Sequence, residues 1–281
     1  MIRNFGNFAT SQPIFFESFI MMSSMDEPKI IFESRDFVAV VKPAGLLVHR
    51  VRVSAAKMRS GRMDEARRTE ATLADLLVAR YPEMARVGDD PAYRPGIVHR
   101  LDKETSGVMV VVRTQEAFER LKALFQSHAM KKTYLALVVG VPDPAKGTID
   151  RPIGIRNGTL KRSVHVKQMA KEAVTDYEVK EKSGIPNAGP EEDGYALVEA
   201  RPRTGRTHQI RVHLASIGHP IVGDRLYGGK RAVEPGAFGN APRLMLHAAS
   251  LEWDDGAGNG FAFEAPPPDD FNQVIHSVFH R

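Results

Sequence analysis

From residue 29 onward the apolar residues fall into short runs whose period changes along the chain. Ile30–Ser34 and Phe37–Val41 read as two short strands on either side of the polar pair Arg35–Asp36. Lys42-Pro43-Ala44-Gly45 supplies the dihedrals of a turn, and Leu46–His49 continues extended. In residues 72–81 apolar positions 73, 76 and 77 share a helical face, with Thr72 placed to cap it and Pro82 to stop it. Val108–Val112 is an unbroken apolar run, the mark of a buried strand. A second amphipathic helix is predicted over 115–128, with Phe118, Leu121, Leu124 and Phe125 on one face. Thr133–Val139 is a strand ended by Gly140 and Pro142. Residues 146–180 alternate as antiparallel strands with basic turns, 195–200 and 244–253 are strands, and 207–217 is a helix opening at Thr207. Residues 183–194 and 228–242 are polar or Gly/Pro-rich loops. Strands and helices mix without a fixed repeat. That predicts a mixed α/β (α+β) single domain, with a large, mostly antiparallel mixed sheet flanked by helices and loops, not a doubly wound parallel one.

Two segments break the pattern. Residues 1–27 contain the apolar run 13–22, interrupted by Glu17, ending in Met21 and Met22 and followed by Met25. We read a poorly ordered extension, or the product of an upstream start codon, and not a secretory signal. Residues 50–70 carry seven Arg and Lys against three acidic residues, with little apolar periodicity. They read as a basic insertion in a domain spanning 28–281, either solvated surface or a phosphate-contacting arm.

Charge and composition narrow the class of partner. The net charge of +5 and pI of about 9.4 favour a polyanion. No cysteine is present, which removes disulfides, thiolate metal sites and cysteine nucleophiles and fits a reducing, cytoplasmic setting. No run reaches the length of a membrane span, so no membrane partner is expected. Without a coiled-coil pattern we expect a monomer.

The candidate chemistry lies in four stretches. His99-Arg100-Leu101-Asp102-Lys103-Glu104-Thr105-Ser106-Gly107 sets a carboxylate in a polar turn just before the buried strand. Between cations, such a group stays ionised and oriented. Tyr134 lies in a half-buried strand. Residues 203–214 (RTGRTHQIRVHL) put His208, Gln209 and Arg211 in the first turn of a helix, a ready place for phosphate. Residues 218–228 (GHPIVGDRLYG) form a rigid turn. His208 and His213 are five apart and do not share a helix face, so no metal site is expected.

These stretches, with Lys42–Gly45 and Leu244–Ala248, resemble the RluA family of pseudouridine synthases over residues 29–255. HRLDKETSG fits the family's HRLD-x-x-TSG signature, and TGRTHQIRVHLA and GHPIVGD fit as closely. The resemblance implies the pseudouridine synthase fold and a cofactor-free isomerisation of uridine in ribosomal or transfer RNA, with the target base flipped out of its stack. It places the family's aspartate on Asp102, as nucleophile or electrostatic stabiliser at the ribose C1′. It places the active-site tyrosine on Tyr134, and the arginine partner of the aspartate on Arg211 in preference to Arg206. The remaining motif residues Arg100, Leu101, Thr105, Arg206 and Gln209 are expected to bind the RNA substrate, and His99 and His208 to contact RNA or brace the site. Residues 50–68 and Arg156, Lys161, Arg162, Lys167 and Lys171 are expected to grip the RNA around it. The N-terminal stretch is too short for the S4 RNA-binding domain that many relatives carry.

Overall fold

The computed structural model describes residues 27–50, 70–155, 161–166, 169–183, 194–233, 241–255 and 260–280. The expectations for the N-terminal extension and the basic arm, and for Arg156 and Lys167, lie outside the described residues.

The strands are β1 (Lys29–Glu33), β2 (Phe37–Lys42), β3 (Ser106–Val112), β4 (Lys131–Val139), β5 (Lys146–Asp150), β6 (Gly154–Ile155), β7 (Arg162–Ser163), β8 (Val174–Ser183), β9 (Tyr195–Pro202), β10 (Leu246–Asp254) and β11 (Gly260–Glu264). The helices are α1 (Leu73–Arg80), α2 (Gln115–Gln126), α3 (Gln209–Ser216), α4 (Gly229–Val233) and α5 (Asp269–Phe279), and a 3-10 turn follows α1 at Pro82–Arg86. One large sheet runs β1-β2-β3-β10-β4-β9-β8-β5, with β11 added on β10, and β6 and β7 form a separate pair. The fold is the mixed α/β single sheet that the apolar pattern predicts.

All but one of the strand pairings in the large sheet are antiparallel; β3 and β10 run parallel and touch only through His247↔Ser106 and Ala248↔Gly107. Past that point β3 continues on β2 alone, and β11 takes its place beside β10 from Ser250 to Asp254. The sheet therefore opens like a V between two halves. Phe37, Trp253, Phe261 and Phe263 fill the opening, with ring centroids 5.0–6.5 Å apart. At the closed end the two backbones are very close. Gly107 has φ +123°, and a Cβ there would lie 2.2 Å from the Ala248 carbonyl oxygen, so only glycine fits. His247, fully buried, bonds Ser106 Oγ through Nδ1 and the Ala265 carbonyl through Nε2, both at 2.9 Å, and so fastens the two halves.

Each half buries its own core. Leu73, Leu77 and Met84 close over Val38, Val40, Met109 and Val111 on the β1–β3 side. Helix α1 starts as predicted: Thr72 Oγ1 accepts from the Asp75 N–H, and the Asp75 carboxylate accepts from the Thr72 N–H, a capping box. On the other side α3 and α5 pack Ile210, Leu214, Phe271 and Val274 against β4, β9 and β10.

Four sequence readings change. Leu46–His49 bends, because it turns back to meet α1, where the Leu73 and Ala74 N–H groups donate to the Leu47 and Val48 carbonyls. Helix α3 starts at Gln209, not at Thr207. Its cap is His208 in the left-handed region (φ 59°), a conformation that Thr207-led periodicity cannot reveal. The loop 228–242 contains the short helix α4. Strand β11 and helix α5 lie beyond the last strand that the pattern predicts; Phe261 and Phe263 alternate with small or polar residues too briefly to stand out.

Candidate active site

The loop before β3 carries Asp102 to the closed end of the V. Its backbone is pinned from below. The Lys42 ammonium, fully buried, donates to the carbonyls of Pro43 (2.7 Å), Leu46 (2.9 Å) and Lys103 (3.0 Å), and the Gly45 N–H donates to the same Lys103 carbonyl at 2.8 Å. The Lys42–Gly45 turn thus holds the residue next to Asp102, a role its sequence alone does not announce. Burial lowers the Lys42 pKa to about 7.

The cations beside Asp102 in sequence turn elsewhere. Lys103 pairs with Glu70 at 2.7 Å, and Arg100 Nη1 lies 3.1 Å from His49 Nε2. The guanidinium that reaches Asp102 comes from α3: Arg211 Nη1 donates to Asp102 Oδ2 at 2.9 Å. Arg206 instead donates through Nε to the Glu172 carbonyl at 2.8 Å. Arg211 is itself held by a fork. Its Nε and Nη2 donate to the two oxygens of Asp224 at 2.8 and 2.9 Å, and Asp224 Oδ1 also accepts from the N–H groups of Leu226 and Tyr227. Burial works against the Arg211 charge, but Asp224 and then Asp102 outweigh it, so its pKa is raised.

His208 faces the other oxygen of Asp102, with Nε2 3.7 Å from Oδ1. Its Nδ1 lies 2.8 Å from the Tyr227 hydroxyl, and that hydroxyl accepts from the Arg162 N–H at 3.0 Å. The arrangement that satisfies all three has Tyr227 donating to Nδ1, which leaves the neutral ring's N–H pointing at Asp102. Burial lowers the His208 pKa, opposed by the Asp102 charge. Among the described residues, Asp102 Oδ1 is therefore the oxygen without a close partner.

Tyr134, on β4, lines the same cavity of about 570 Å³ as Asp102, Arg211 and His208. Burial, then the Asp102 charge, raises its pKa, so the phenol stays protonated. Lys132, two residues earlier on the same face of β4, also lines it.

The other predicted site residues divide. Arg100 is exposed at the rim, and Arg206 and Thr207 line the wall opposite. Leu101 is 4% exposed and packs in the core under the Asp102 loop. Thr105 is buried, and its Oγ1 has no hydrogen-bond partner among the described residues. His99 accepts the Val110 N–H at Nε2 and stacks on Phe125; burial, then Lys132, drives its pKa down to about 3. Gln209 lines the cavity and is held from behind. Its amide is buried, with Oε1 accepting from Thr204 and the Arg206 N–H and Nε2 donating to the Val174 carbonyl and Thr175, so it fixes the loop that delivers α3. Asp224, Lys42 and Tyr227 are the supporting residues that sequence reasoning did not assign. Their motifs are legible, but their partners lie 13 to 61 residues away. Among the described residues no group of three or more His, Asp or Glu side chains gathers as metal ligands do. No helix there is long and apolar enough to cross a membrane.

Comparison with known proteins gives the family. Residues 36–216, more than half of the chain, match the family described as RNA pseudouridylate synthase. The chain is 38% identical over 253 residues to ribosomal large subunit pseudouridine synthase D of Pseudomonas aeruginosa, covering 87% of this chain and 70% of that protein. Among solved structures, human RNA pseudouridylate synthase domain containing 4 matches with a TM-score of 0.63 at 26% identity, over 89% of this chain and 92% of that one. Human RNA pseudouridylate synthase domain containing 1 matches with 0.61 at 27% identity, over 88% and 86%.

Proposed function

Because this chain belongs to the RNA pseudouridylate synthase family, of the RluA type, and is an isomerase of uridine in RNA, we propose that Asp102 is its reacting carboxylate and ribosomal RNA its substrate. The ribosomal assignment follows the name of the Pseudomonas relative. The observation that carries the Asp102 reading is the division of labour at its two oxygens in the cavity wall: Arg211 holds Oδ2 at 2.9 Å, while Oδ1 has His208 Nε2 at 3.7 Å and no closer partner among the described residues.

In this reading the target uridine leaves its stack and enters the cavity, at a cost of a few kcal/mol that is least in loops and single strands. Asp102 Oδ1 attacks C1′ of the ribose, or stabilises the cation developing there, as the N1–C1′ bond breaks. Arg211 keeps the carboxylate aimed and ionic throughout, and Asp224 keeps Arg211 aimed. The released base turns, C5 bonds to C1′, and the carboxylate departs. C5 loses its proton and N1 gains one, so the product has the composition of the substrate and no external reactant is consumed. Tyr134 packs against the base. Its protonated hydroxyl suits it to donate a hydrogen bond rather than to take the C5 proton.

The test is release of tritium from ribosomal RNA carrying [5-3H]uridine. Wild type should release it, and a folded Asp102→Ala variant should be slower by about 10³-fold or more. A folded wild-type protein that releases none from any RNA would falsify the reading and leave an RNA-binding protein in its place.

A further inference from the structure

The catalytic cavity extends past the Asp102 group, and the isomerisation described above uses only one end of it. The far end is formed by the last turn of α2 and the loop before Asp102, with Phe125, Lys122 and Arg94 in its wall. Phe125 is half-buried there, and its ring stacks on His99 with centroids 4.5 Å apart and planes 22° apart. His99 is a neutral ring, so the pair is an uncharged aromatic surface. Beside it stands Lys132, whose charge reaches His99. The Lys132 ammonium donates only to the Thr204 carbonyl, at 3.3 Å, and pairs with no carboxylate among the described residues. The acidic group at this end, Asp89, is already bound by Lys122 at 2.7 Å.

A half-buried cation lacking an acid, beside aromatic rings, matches a nucleotide: the rings meet any base face, and the ammonium meets a phosphate. We propose that the far end is a subsite for an unpaired nucleotide next to the target uridine, with its base stacked against Phe125 and its phosphate on Lys132. This inference rests on the RNA isomerase reading of the near end. It assigns part of the substrate contact to the catalytic domain itself.

The test uses the full chain and two single-stranded uridine heptamers, each with one 2-aminopurine, placed 5′ or 3′ of the central uridine. On binding, one of the two should be quenched. The quench should be lost in Phe125→Leu, which keeps an apolar side chain without a stacking face, and restored in Phe125→Tyr. Tritium release from [5-3H]uridine-labelled ribosomal RNA should fall about 5- to 150-fold in Phe125→Leu, the range for loss of one base–aromatic stack. Lys132→Met should weaken heptamer binding and flatten its salt dependence by about one phosphate. The subsite is overturned if neither label responds, or if Phe125→Leu responds as wild type does. Tritium release by wild type then shows that the isomerase reading survives; absence of release overturns both.

Discussion

Arg211 divides one guanidinium between two carboxylates, Asp224 through a fork and Asp102 through the remaining nitrogen. Lysine has the charge but not the fork, so it cannot serve both at once. Arg211→Lys should therefore lower kcat for tritium release by about 10²-fold with little change in KM, since the carboxylate is misaimed while the cavity stays open. Asp224 is different in kind. It is 1% exposed and acts by holding Arg211 and the Leu226 and Tyr227 backbone, not by reaching Asp102 itself. Asp224→Ala removes one partner of a buried ion pair and should cost about 3 kcal/mol of stability, read as a lowered denaturation midpoint, as well as activity. That Arg211 and not Lys103 partners Asp102 is a fact of the fold. The three lie within one motif or a hundred residues apart, and adjacency in sequence favours the wrong cation.

At the scale of elements, helix and strand periods were legible wherever one face is buried. Thr72 with Asp75 marks α1, and the unbroken apolar run marks β3, which is buried on both faces. The start of α3 was not legible, because it depends on a left-handed histidine held by Tyr227, 19 residues on. Strand β11 was missed for a related reason: its pairing with the second half of β10 exists only because β3 has diverged. His99 links the loop before Asp102 to β3 through the Val110 N–H, and it makes a pH prediction. Above pH 6.5 its ring is neutral in both folded and unfolded chains. Below that the unfolded chain takes up the proton and the folded one does not until about pH 3, so stability falls as pH falls through this window. Relative to His99→Gln, the wild type should lose up to about 1.4 kcal/mol per pH unit between pH 6 and 4, measured by urea titration.

For the whole molecule, the site gathers a loop, a strand and a helix from both halves of an interrupted sheet, and its rim is cationic. Arg100 is exposed there, facing the cavity beside His49. If it meets a phosphate, Arg100→Ala should weaken binding to ribosomal RNA and reduce the slope of log K against log salt by about one unit, in a filter-binding titration. The family was legible from the order of long motifs, but the clamps that make them one site were not. Lys42 to Lys103 and Asp224 to Arg211 are contacts between motifs, and Gln209 to Val174 is one from a motif to β8, each satisfying a buried charge or amide that a linear reading treats as local. Strand β10 sits at the centre of the sheet although it follows Asp102, Tyr134 and Arg211 in the chain. During synthesis, every group proposed to take part in the reaction leaves the ribosome before the strand that fixes their spacing. A nascent chain thus carries its full chemical inventory in an unassembled state until β10 is made, when His247 and Ala248 pair with β3 and residues 246–252 with β4.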